Sequence, residues 1–185
     1  MDKSKIKNGA KYISYVAVIS ALLFALKFLL SFIPNIELVT VTVISFAIVM
    51  GKKIAVPAAL VFCLLQLALY SVHTWVILYF LYYPTLALLS SIILKKPNTF
   101  KATVFAVIMT ALFGVLSTLI DTLMALPYGV PLSSLPSLFA AYYIKGAYFY
   151  IVHIVSNALI VPALYPVLVR LIKRFYGKKT AEEIS

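Results

Sequence analysis

The sequence predicts an all-α polytopic membrane protein with six transmembrane helices and both termini in the cytoplasm, and three observations predict it. Hydrophobic residues make up 64% of the 185 and charged residues only 11%, with a mean hydropathy of +1.07, whereas soluble domains carry roughly 25% charge. The apolar residues fall into six runs, and at about 20 residues per crossing six spans fill the chain. With a cytoplasmic N-terminus, 14 of the 16 Lys and Arg residues lie on the inner side, and only Lys27 and Lys145 fall on the outer half. That asymmetry is the positive-inside pattern. Residues 1–185 therefore read as one membrane domain. Within it, 1–11 is a basic cytoplasmic N-terminus, 127–136 an extracellular loop and 174–185 a cytoplasmic tail.

The first apolar segment, Tyr12 to Phe32, follows Lys3, Lys5, Lys7 and Lys11. It is longer than a signal-peptide core and no small-residue cleavage site follows it, so it reads as a retained span. Ala17, Ala21 and Ala25 recur every fourth residue and Ser14 extends the same face. Small side chains in that spacing let two helices approach closely in lipid, where the hydrophobic effect does not drive association. The face suits either the protein's own later helices or a partner helix, and periodicity alone favours the former. Pro34-Asn35 ends the segment.

A second segment, Ile36 to Met50, ends at Gly51-Lys52-Lys53 and is short for a span, so it must be recessed, bent or shielded by neighbours. A third, Ile54 to Val72, has Pro57 in its first turn, Cys63 within its apolar run and Gln66 near its far end. The turn His73-Thr74 leads through Trp75 into a fourth segment ending near Leu94. Beyond the loop 95–101 a fifth runs from Ala102 to Leu126 and holds Gly114 and Asp121. The stretch 127–136, with three prolines and a glycine, is the longest irregular connection and the natural lid. The last segment, Ser137 to Phe175, exceeds one crossing; part of it is expected in the outer interface, with the span itself over Ala147 to Leu171.

Charge and polarity then restrict function. The net charge of +11 is a topology signal, because the lysines cap membrane helices in four separate loops and form no basic stripe for nucleic acid. The single cysteine, Cys63, reads as a small core residue and excludes an internal disulfide. No paired-histidine metal motif, cysteine cluster, Gly-rich phosphate loop or serine elbow is present, so neither a catalytic site, a metal site nor a cofactor is expected. The chain does not read as an enzyme.

Polar residues concentrate on the outer half, where ionisable groups near membrane depth must pair, reach water or line a cavity. An outward-facing cavity is the economical reading, with Glu37, Gln66 and Asp121 as polar contacts and Trp75, Tyr79 and Tyr128 as ring contacts for a planar ligand. Belt tyrosines and snorkelling lysines account for most other outer groups. On the sixth segment His153, Ser156 and Asn157 share one helical face, a pattern that favours interhelical hydrogen bonding over ligand contact.

About 185 residues, six spans, internal termini, Ala17-x-x-x-Ala21 in the first helix and no ATPase motif together resemble the substrate-binding S component of an energy-coupling factor (ECF) vitamin transporter. The stretch Pro34 to Thr40, the Gly51-Lys52-Lys53 turn and His153-x-x-Ser156-Asn157 are also similar to sequences of that family. The resemblance implies a vitamin or related micronutrient bound near the outer face, and a complex with a transmembrane coupling subunit and two cytoplasmic ATPase subunits. It also implies a docking role for Ala17 and Ala21, with Ala25 as an extension. Two other readings remain at this level: a stand-alone small secondary transporter or channel, and an assembly subunit without a ligand.

Overall fold

The computed structural model describes the backbone of residues 3–182 and the side chains of residues 9–176. It is 86% helical, with no strand among the described residues. The helices are α1 (Lys3–Leu29), α2 (Val39–Met50), α3 (Lys52–Tyr70), α4 (Thr74–Ile93), α5 (Thr99–Leu123) and α6 (Leu135–Glu182), and two short 3₁₀ turns, Leu126–Tyr128 and Leu132–Ser134, join the last two. Five helices are long and apolar enough to cross a membrane, and α2 is the shorter sixth.

Helix α2 is the centre of the bundle. Its 12 residues span roughly 18 Å at 1.5 Å per residue, well short of a bilayer core of about 30 Å. The other five helices surround it, and residues Val39 to Ser45 and Ala47 are all buried. A helix that is apolar on every side needs such a position. The expectation that this short segment is shielded by its neighbours therefore holds. Gly51 makes the tight reversal into α3 possible: it has φ 77° and ψ 171°, a region only glycine enters without strain.

Helix α1 lies against α3. Val16, Ile19, Ser20 and Leu23 are buried, at helical spacing on one face. The Ser20 hydroxyl is 3.0 Å from the Ala58 carbonyl across the interface. Ala55, Ala58 and Ala59 are buried on α3, and small residues at a contact are what permit this closeness. The alanine stripe takes no part in it: Ala17, Ala21 and Ala25 are all exposed. Periodicity favoured packing of these alanines inside the bundle, and the structure corrects that; Val16 and its partners supply the inner face instead.

Helices α5 and α6 pack along much of their length around Gly114. The Tyr150 ring lies across that glycine, and its hydroxyl is 2.9 Å from Thr118 Oγ1. A Cβ built on Gly114 would approach Tyr150 Cγ to 2.8 Å. The root of a ring cannot swing aside as a chain end can, so Gly114→Ala is expected to destabilise the fold by about 1–3 kcal/mol, read as a lowered thermal midpoint in detergent.

Several boundaries differ from the expectation: α1 runs from Lys3 to Leu29, α2 starts at Val39, α5 covers Thr99–Leu123, and α6 starts at Leu135, inside the stretch expected to be a loop. Helix α3 begins at Lys52, which moves Pro57 from the first turn into the helix. The final segment is one helix of 48 residues, carrying Pro162 and Pro166, longer than one crossing needs, as expected. Cys63 is a buried core residue as expected, and its Sγ–H donates to the Tyr79 carbonyl at 3.2 Å.

Candidate binding site

The site lies at the end of the bundle where α1 passes into α2. Past α1 the chain turns at Asn35, which adopts φ 59°, a conformation asparagine tolerates better than most residues. That turn delivers Glu37 to the start of α2. Its Oε2 accepts the Thr40 backbone N–H at 2.9 Å, placing a carboxylate where the helix presents unpaired amides and positive dipole. Its Oε1 lies 3.4 Å from His153 Nε2 on α6, a long hydrogen bond by ordinary standards. Both residues are deeply buried, 2% and 4% exposed.

Glu37 is thus a buried carboxyl with two specific partners, the Thr40 amide and the His153 ring. One turn along α6, Asn157 Nδ2 donates to Thr110 Oγ1 at 3.1 Å. Phe113 of α5 sets its ring edge-on to both His153, at 5.2 Å, and Tyr82, at 4.9 Å. The interior also holds polar atoms without a hydrogen-bond partner, among them Ser156 Oγ, Asn157 Oδ1 and both amide atoms of Gln66, whereas most buried polar groups in proteins are paired.

Beside this polar interior is a cavity of about 230 Å³ bounded by Lys27, Ser31, Gln66, Tyr70, Trp75 and Tyr79. The Trp75 ring stands edge-on to Tyr70 at 5.1 Å and to Tyr79 at 5.2 Å. Lys27 Nζ sits 5.6 Å from the Tyr79 ring centroid, within cation–π range. The wall thus combines three aromatic rings, one cation and one amide. The α3–α4 turn that sets the ring positions is strained at Ser71, which adopts φ 61° and ψ −165°, a region nearly confined to glycine. Ser71→Gly is expected to stabilise the fold by about 1 kcal/mol, the relieved strain exceeding the extra entropy of an unfolded glycine. Thermal unfolding in detergent checks this.

Three of the residues expected from sequence come together here: Gln66, Trp75 and Tyr79 line the cavity. Glu37 is not in the lining; it is held by the Thr40 amide and His153. Asp121 does not join them. It sits in the last turns of α5 and lines a second cavity, of about 400 Å³, with Tyr142, Lys145, Gly146, Phe149 and Tyr150. Tyr128 lies on the first 3₁₀ turn and is 88% exposed, so its ring lines neither cavity.

Sequence reasoning missed His153 as a site residue, and also Lys27, Tyr70, Tyr82 and Phe113. A signal existed for His153, because it and Asn157 form an i, i+4 polar pair on an otherwise apolar helix. Interhelical hydrogen bonding, the reading favoured for that face, holds for Asn157; His153 reaches Glu37 as well. Among the described residues no group of three His, Cys, Asp or Glu could hold a metal ion. No family model, no curated protein and no solved structure matches the chain.

Proposed function

We propose that the chain is the substrate-binding S component of an ECF-type ABC transporter. In this reading it captures a vitamin or related micronutrient outside the cell for uptake driven by a transmembrane coupling subunit and two cytoplasmic ATPase subunits. It resides in the cell membrane as a multi-pass protein with both termini inside. The observation that carries the reading is the cavity of Lys27, Gln66, Tyr70, Trp75 and Tyr79. Apolar walls with a few placed polar groups are the usual composition of a small-molecule site. The exposed Ala17, Ala21 and Ala25 on α1 support a helical partner in the bilayer, since small residues facing lipid gain little by themselves.

Affinity purification from native membranes tests this. A coupling subunit and two ATPase chains are expected to come down with the protein, and recovery of the chain alone after gentle extraction contradicts it.

One observation favours a second reading, a stand-alone secondary transporter. A buried Glu37–His153 pair is the kind of ionisable couple that carries protons across membranes. In that case the pure protein in liposomes accumulates solute in response to a pH gradient, with no ATPase present.

A further inference from the structure

The wall of the Lys27 cavity contains one group whose chemistry is unmet. Gln66 is 1% exposed, and neither its Oε1 nor its Nε2 has a hydrogen-bond partner. A carboxamide is at once a donor and an acceptor, and burying it unpaired destabilises the free protein on both counts. Leucine would fill the same place without that penalty. A cavity lies against this residue, and Tyr70, Trp75 and Tyr79 line it with ring surface. Its volume of about 230 Å³ corresponds to roughly eight water molecules at about 30 Å³ each, which is room for one planar ring with its substituents.

We infer that the cavity takes a planar ring whose edge carries an adjacent N–H and C=O, of the lactam, cyclic urea or imide type, read by Gln66 as a complementary pair. This rests on the cavity being the capture site proposed above. The carboxamide accepts from the ring N–H through Oε1 and donates to the ring carbonyl through Nε2, while the tryptophan and tyrosines hold the ring faces. Lys27 adds a positive charge that favours a second carbonyl or an anionic substituent on the same ligand. Both amide atoms are sealed from solvent, so a ligand reaches them only by shifting a neighbouring ring.

Trp75 is the sole tryptophan, so its emission reports on that shift. The probes are uracil, which has such an edge, and N,N′-dimethyluracil, the same ring with both donors removed. The isolated full-length protein in detergent is expected to give a saturable emission change with uracil and at least a 5- to 150-fold weaker response with the dimethyl compound. Gln66→Leu should abolish that preference and at the same time raise the thermal midpoint of the unliganded protein by roughly 2–4 °C. A merely structural glutamine would lower it. Equal responses to the two probes, no saturable response to uracil, or a Gln66→Leu protein that keeps the preference each overturn the inference. Binding by the isolated chain needs no partner subunit, so uracil-selective binding without co-purifying ATPases would sink the transporter assignment and leave the ligand class standing.

Discussion

His153→Leu is expected to destabilise the protein by about 3–5 kcal/mol, the largest loss of any single substitution considered. The substitution removes one member of a buried pair and leaves the Glu37 carboxyl buried without that partner. A buried ionisable pair generally returns little more than its own desolvation costs, so the loss comes from stranding the survivor. The double variant Glu37→Leu/His153→Leu should accordingly recover most of it. Thermal unfolding in detergent, on both single variants and the double, reads all of this.

Ala17→Trp and Ala21→Trp are expected to abolish partner association and uptake while leaving the thermal midpoint and ligand binding nearly unchanged. Because both alanines lie outside the bundle, an indole there meets lipid in the free chain and touches none of the residues packed against α3. In a complex it holds two helices apart by the depth of a ring, and packing between helices in lipid falls off steeply with that distance. Titration has to follow a different signal in these variants, since each introduces a second tryptophan; ligand-induced thermal shift serves. Loss of folding together with association would mean that the stripe supports the bundle after all.

The helices were legible because hydropathy over 20 residues is a strong signal and the loops are punctuated by Gly51, Pro97 and the prolines of 127–136. Burial of α2 was legible from its shortness. The inward face of α1 was not. In a membrane helix both faces are apolar, and a repeat of alanines looks the same whether it meets the protein's own backbone or a neighbour's. For the site, Gln66, Trp75 and Tyr79 were recoverable because a polar or amphipathic residue near a helix end stands out in an apolar chain. Asp121 stood out equally and lies elsewhere, since sequence places a residue at a depth but says nothing of its direction around the bundle axis. The Glu37–His153 pair joins residues 116 positions apart, and no local pattern encodes such a contact. Tyr128 was misplaced for a simpler reason: a tyrosine on a Pro-Gly turn is held by the turn, not by the bundle.

The central claim is that this chain captures a solute and that partner subunits supply the energy. The solute released on denaturing the purified protein can be identified by mass spectrometry and its uptake followed in two preparations: right-side-out membrane vesicles loaded with ATP, and liposomes holding the pure chain under an imposed pH gradient. The account predicts accumulation in the vesicles that depends on internal ATP and is lost with Ala21→Trp, and binding without accumulation in the liposomes. Accumulation by the pure chain, driven by the pH gradient and lost in Glu37→Gln, would contradict it.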